Sequence, residues 1–151
     1  MYNEYFGFSE SPFNVTSDPR FFHSNRLYQE TFTGLRWGTK LRQGLIIMTG
    51  EAGTGKTTML RMVTEKFEPG IRTALILDHC PDFSALLRLM LVDFGFPNPP
   101  DDRLTMMQQL SNYLTDQSQK TQSVSAFIDE AQQVDVRTLK ELELLLDLRN
   151  G

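Results

Sequence analysis

Leu45-Ile46-Ile47-Met48-Thr49-Gly50-Glu51-Ala52-Gly53-Thr54-Gly55-Lys56-Thr57-Thr58 is the stretch whose reading decides the fold. An apolar run of strand length, Leu45–Thr49, leads into a glycine-rich turn, and Lys56-Thr57 opens a helical pattern. From Gly50 to Thr57 the residues meet G-x-x-x-x-G-K-[ST], the spacing of a phosphate-binding loop. Gly50, Gly53 and Gly55 permit backbone angles and close approaches that a Cβ obstructs. Successive N–H groups from Gly50 through Thr58 can then turn inward as a nest for phosphate. The helix starting near Lys56 adds its own unpaired N–H groups and the positive end of its dipole. Lys56 brings a mobile charge to the β- and γ-phosphates, and the Thr57 hydroxyl is placed to ligate Mg²⁺. Glu51, Ala52, Thr54 and Thr58 contribute backbone, whatever their side chains do. The bland alternative is a chance glycine turn; the strand before and the helix after argue against it.

A second acidic feature lies far downstream. Val124-Ser125-Ala126-Phe127-Ile128 reads as a strand and ends in Asp129-Glu130. Two carboxylates at the end of a buried strand need compensation, because uncompensated charge there is costly. A shared Mg²⁺ supplies it, with Asp129 on one side of the ion and Thr57 on the other. Glu130, one residue on, is suited to deprotonate a water for attack on the γ-phosphate. Taken alone, such a run could equally be a surface turn. With a phosphate loop upstream it reads as the other half of one site, at the carboxyl edge of a parallel sheet. Gln132 either senses the γ-phosphate or caps a turn.

Working outward, residues 1–42 read as an aromatic strap followed by a helix. Tyr2, Tyr5, Phe6, Phe8, Phe13, Phe21 and Phe22 crowd the first 25 positions with little periodicity. Phe13 and its neighbours either close over a purine base or plug the core. Ser24 or Asn25 caps a helix from about Arg26 to Leu41, with an apolar face of Leu27, Tyr28, Phe32, Leu35 and Trp37. After the loop, a helix covers Lys56 to Phe67 and Pro69-Gly70 ends it. Thr73–Asp78 reads as a buried parallel strand, and Phe83–Phe94 as a well-buried helix. The proline-rich Gly95–Pro100 stretch is a rigid connector. Asp101 or Asp102 caps a helix to about Gln119, whose core side is Leu104, Met107, Leu110 and Leu114. Gln117–Ser123 reads as a surface loop, and Val136–Leu148 as a last helix with a wide leucine face.

The chain has 151 residues, net charge −4 and 40% hydrophobic composition, which fits one domain with a sizeable core. That balance gives no overall attraction to nucleic acid or anionic lipid. The single cysteine, Cys80, permits no internal disulfide and has no partner set for metal or nucleophilic chemistry. No apolar run approaches the roughly 18 residues of a membrane span, and the N-terminus lacks the pattern of a signal peptide. The expected location is cytoplasmic.

These residues resemble the nucleotide-binding domain of the AAA+ superfamily. More narrowly, they resemble the ATPase domain of general secretion pathway protein A and its relatives. The likeness rests on Tyr5-Phe6-Gly7-Phe8, Pro12-Phe13 and Ser17–Phe21, then the loop Gly50–Thr58. It continues through Leu86-Leu87-Arg88, Asp93-Phe94-Gly95 and Ile128-Asp129-Glu130-Ala131-Gln132. The nucleotide motifs are widely shared, and the aromatic opening is what narrows the family.

The resemblance implies a P-loop NTPase fold, a three-layer α/β/α sandwich on a parallel sheet of strand order 5-1-4-3-2. It also implies ATP and Mg²⁺ as cofactors, work by a homo-oligomer, and a secretion-complex partner protein, at the inner face of the inner membrane. In such systems the ATPase belongs to a larger membrane protein with a periplasmic part that this sequence does not contain. Strands four and five, the sensor residue, the helical lid and the arginine finger would lie beyond Gly151. Residues 1–151 would thus be a truncated core that recognises nucleotide but turns it over slowly, since a finger alone contributes about a thousandfold or more. Arg137 and Arg149 read as solvated charges rather than substitutes for the finger. Transposition and replication-initiator ATPases share the Asp-Glu-Ala-Gln style of motif, so a DNA-associated ATPase is the competing function. ATP-dependent, salt-sensitive DNA retention separates it. A non-hydrolysing nucleotide-gated switch is the third.

Overall fold

A computed structural model describes residues 2–7 and 25–147. Along the chain these form α1 (Tyr2–Phe6), α2 (Arg26–Lys40), α3 (Lys56–Glu65), β1 (Ile71–Ile76), α4 (Phe83–Asp93) and α5 (Arg103–Gln119). Then come β2 (Ser123–Ile128), a 3₁₀ turn (Ala131–Gln133) and α6 (Val136–Asp147).

The two strands pair in parallel, in register from Ile71↔Ser123 to Ile76↔Ile128. Because side chains alternate along a strand, the pair has two apolar faces. On one, Ala74, Ile76 and Ile128 meet Leu86, Leu87 and Leu91 of α4, Met106 and Leu110 of α5, and Leu142 and Leu145 of α6. On the other, Phe127 and Phe67 pack with Leu35 of α2 and Met59 and Val63 of α3. Helices therefore cover both faces, giving the expected three layers. Phe94 stacks on Tyr113 with centroids 5.1 Å apart, which ties the end of α4 to α5.

Leu45–Thr49 departs from expectation. It carries no ladder pairing; Leu45 is 69% and Ile47 75% exposed. A strand is stabilised by its neighbour's hydrogen bonds. In the order implied by the resemblance, that neighbour lies between this segment and β2, and the described residues hold no strand there. The segment is nonetheless anchored. Met48 packs against the α2–α3 cluster, and a Cβ on Gly38 of α2 would come within 2.3 Å of Ile46.

Other boundaries shift for identifiable reasons. β1 begins at Ile71, directly after Gly70, because the ladder engages Ser123 there, and Leu77-Asp78 lie past its end. On α5 the buried stripe is Met106, Leu110 and Gln117. Leu104, two positions from Met106, is turned to the opposite side and is 77% exposed. Gln117–Gln119 finish α5 rather than starting the loop. On α6, Leu142 and Leu145 face the core while Leu139 and Leu144 are exposed. Leu148 lies outside the described residues.

Side chains close the helix starts. Asn25 accepts from the Tyr28 N–H at 3.0 Å, Asp82 from the Ala85 N–H at 2.9 Å, and Asp102 from the Thr105 N–H at 2.8 Å. Ahead of α6, Asp135 accepts from the Thr138 N–H at 2.6 Å. The Thr105 hydroxyl and then its N–H hold the Asp102 carboxyl below its ordinary value. The Thr138 N–H does the same for Asp135. A depressed carboxyl pKa gives stability that is present above the unfolded-state value, about 3.9 for aspartate. That stability is lost as pH falls through the lower folded-state values. The thermal unfolding midpoint is therefore expected to drop as the solution is acidified through that range. The double variant Asp102→Asn with Asp135→Asn keeps neutral caps and should flatten that part of the profile in calorimetric melts.

Two contacts on α4 account for sequence features that no site uses. Arg88 donates to the carbonyls of Pro99 and Pro100, both at 3.1 Å, and to Asp101 Oδ1 at 2.9 Å, gripping the proline connector. At the end of the helix, Asp93 Oδ2 accepts the Leu75 N–H of β1 at 2.5 Å.

Candidate nucleotide site

The loop between Met48 and α3 takes its shape from three glycines. Gly53 and Gly55 adopt left-handed backbone angles, φ 77° and 86°, which side chains with a Cβ rarely occupy. At Gly50 a Cβ would lie 3.0 Å from the Thr54 hydroxyl. That hydroxyl donates to the Glu51 carbonyl at 2.8 Å and tightens the turn. α3 starts at Lys56 with Gly55 as its N-cap, so no side chain caps its first N–H groups. These are the donors that make a helix start receptive to an anion. Lys56 Nζ reaches back over the loop and donates to the carbonyls of Gly50 at 2.9 Å and Glu51 at 2.8 Å.

The acidic pair converges on the same place. Thr57 Oγ1 donates to Asp129 Oδ2 at 2.5 Å, across 72 positions of sequence. The other Asp129 oxygen accepts the Glu130 N–H at 3.0 Å, and the Asp129 N–H continues the ladder by donating to Ile76 O at 2.9 Å. β2 thereby holds the half-buried Asp129 at its carboxyl end, against the first turn of α3. Glu130 leaves the strand with φ 49°, a left-handed angle uncommon outside glycine, and the chain turns into the 3₁₀ segment. Its side chain is exposed and accepts a hydrogen bond from Gln132 Nε2. Gln132 thus holds Glu130, which neither sequence reading of it anticipated.

A hydroxyl and a carboxylate side by side form an all-oxygen donor set, suited to a hard cation. No group of three or more His, Cys, Asp and Glu side chains gathers among the described residues. Mg²⁺ is commonly held by one or two protein oxygens, with phosphate and water completing its shell. The residues present fit both Mg²⁺ and a polyphosphate.

One contributor was read from sequence only as part of a helix face. Tyr28 of α2 is half-buried beside the α2–α3 cluster, and its hydroxyl donates to the Thr54 carbonyl. Its signal was a hydroxyl-tipped aromatic among apolar face residues, three positions after the helix cap. Phe13 and Arg149 lie outside the described residues. Arg137 is exposed near the start of α6. Cys80 is buried, and burial, aided by the charges of Asp78 and Asp82, pushes its thiol pKa up, away from the reactive thiolate. No helix among the described residues is long and apolar enough to cross a membrane.

Comparison with known proteins identifies the family. The family model described as "AAA domain" matches residues 39–151. General secretion pathway protein A of Aeromonas hydrophila is 30% identical over 150 residues. The match covers 98% of this chain and 27% of that relative's length. No solved structure matches. With the family model spanning the loop, both strands and the acidic pair, the chain belongs to the AAA domain family of ATPases.

Proposed function

We propose that this chain binds ATP with Mg²⁺, hydrolyses it, and couples the nucleotide state to assembly work of the general secretion pathway protein A type. The observation that carries the reading is the contact between Thr57 and Asp129, which brings the phosphate loop and the acidic strand end together. Residues 1–151 act as one nucleotide-binding core, with 1–42 as its aromatic strap and helix. The backbone of Gly50–Thr58 cradles the polyphosphate. Lys56 exchanges its contacts with the Gly50 and Glu51 carbonyls for phosphate oxygens. Thr57 and Asp129 hold Mg²⁺, which neutralises phosphate charge when bound. Glu130 receives the proton of the attacking water, and Gln132 keeps the carboxylate from swinging free. The partners that follow from this reading are further copies of the chain and a secretion-complex protein. The place of work is the cytoplasm, at the inner face of the inner membrane.

The metal arm of this reading can be tested by titrating the full chain with a fluorescent ATP analogue at graded Mg²⁺. In Asp129→Ala the Mg²⁺ concentration for half-maximal binding is expected to rise on the order of ten- to a hundredfold, as when a metal site loses a supporting group. An unchanged Mg²⁺ requirement would overturn the assignment of Asp129.

A further inference from the structure

We infer that Tyr28 is a positioning residue for the phosphate loop. Its hydroxyl orients the Thr54–Gly55 peptide so that the Gly55 N–H is presented to a bound polyphosphate. The inference rests on the nucleotide reading above and extends it to a helix outside the loop.

The argument starts from the peptide plane. None of the described peptide bonds is cis, and in a trans peptide the carbonyl oxygen and the following N–H point in opposite directions. The Tyr28 hydroxyl donates to the Thr54 carbonyl and so fixes that oxygen toward α2. The Gly55 N–H of the same plane is thereby directed away from α2. Without a partner for the oxygen, this plane could rotate, because the glycine on its far side tolerates both signs of φ. A flipped plane would turn a carbonyl, and so a partial negative charge, toward the phosphate.

Tyr28 is itself held firmly. Its own N–H is bonded to the Asn25 cap at 3.0 Å, and its ring packs beside the cluster of Leu35, Met59 and Val63. The fit against the loop is close: a Cβ on Gly55 would lie 3.2 Å from the Tyr28 hydroxyl oxygen and 3.8 Å from Cε1. Position 55 is therefore confined to glycine twice over, by its left-handed angle and by the tyrosine above it.

The test is Tyr28→Phe in the full chain, which removes the hydroxyl and keeps the ring. Binding of ADP, inorganic pyrophosphate and adenosine would be measured by competition against a fluorescent nucleotide, alongside wild type and Lys56→Ala. Loss of one hydrogen bond predicts about five- to tenfold weaker binding of ADP and of pyrophosphate. Adenosine binding should be unchanged, and the unfolding midpoint without nucleotide should fall by no more than the loss of this one bond accounts for, a few degrees at about 1 kcal/mol. A purely structural role would weaken adenosine and ADP alike, and a base-stacking role would leave Phe equivalent to Tyr; either result overturns the inference. If wild type binds ADP and Tyr28→Phe binds it equally well, this inference fails and the nucleotide site stands. If wild type and Lys56→Ala are both silent toward ADP and pyrophosphate, the site reading falls and takes this one with it.

Discussion

Lys56→Ala is expected to abolish measurable binding of both ATP and ADP. Each hydrogen bond to a charged group is worth about 1.5–3 kcal/mol, and the ammonium has three donors, at least two of which meet phosphate oxygens of ATP or ADP in the proposed arrangement. The loss is then about 3–6 kcal/mol, or roughly a hundred- to ten-thousandfold in affinity. The fold should tolerate the change. Among the described residues, Lys56 bonds only to two carbonyls of its own exposed loop, and water can replace it there. Isothermal titration with ADP, paired with thermal melts, checks both halves. Retained affinity would mean that the loop is a glycine turn of no chemical consequence. A collapsed melting transition would instead assign Lys56 a structural role.

The second large effect concerns Glu130. General-base removal typically costs a factor of about 10²–10⁴ in rate, so Glu130→Gln should show turnover reduced by about that much. ATP affinity should stay within about twofold of wild type, because in the proposed arrangement Glu130 acts on water rather than on phosphate or metal. The amide can still accept a hydrogen bond from Gln132, so the geometry around residue 130 is preserved. Phosphate release under multiple turnover, with chromatography of the bound nucleotide, distinguishes the outcomes. ATP persisting on the variant marks a stalled motor. Equal turnover in both proteins would remove Glu130 from the chemistry. A wild type that binds ATP but never releases phosphate would be a nucleotide-gated switch.

The meeting of Thr57 with Asp129 in the candidate site was more legible in the sequence than the sheet around it. Lys56, Thr57 and Asp129 could be read because each needs a particular chemical group at a fixed offset from a turn or strand end, and few residue types satisfy that. The caps at Asn25 and Asp102 were readable to within one position, Ser24 and Asp101 being the alternatives, because a short polar side chain bonds the N–H groups at a helix start only from there. Pairing is a different matter. Leu45–Thr49 has strand composition, but a strand exists only beside another, and a one-dimensional pattern does not record the neighbour. Leu104 and Leu139 mislead similarly, because both helices offer more leucine than their contact stripe uses. Tyr28 was legible as an apolar helix residue but not as a loop contact, since its hydroxyl finds Thr54 only after α2 and α3 have packed. Gln132 belongs with it: its partner is set by the unusual backbone angle of Glu130.

The bond between Asp93 and the Leu75 N–H has an outcome for solution behaviour. Among the described residues β1 pairs with β2 along one side only, and the amide of Leu75 would otherwise offer a foreign chain a place to zip on. A carboxylate already occupies that donor and brings negative charge that an approaching backbone carbonyl is repelled by. At Leu75 the flank of β1 is thus closed to a foreign strand, which works against runaway stacking of one molecule on the next.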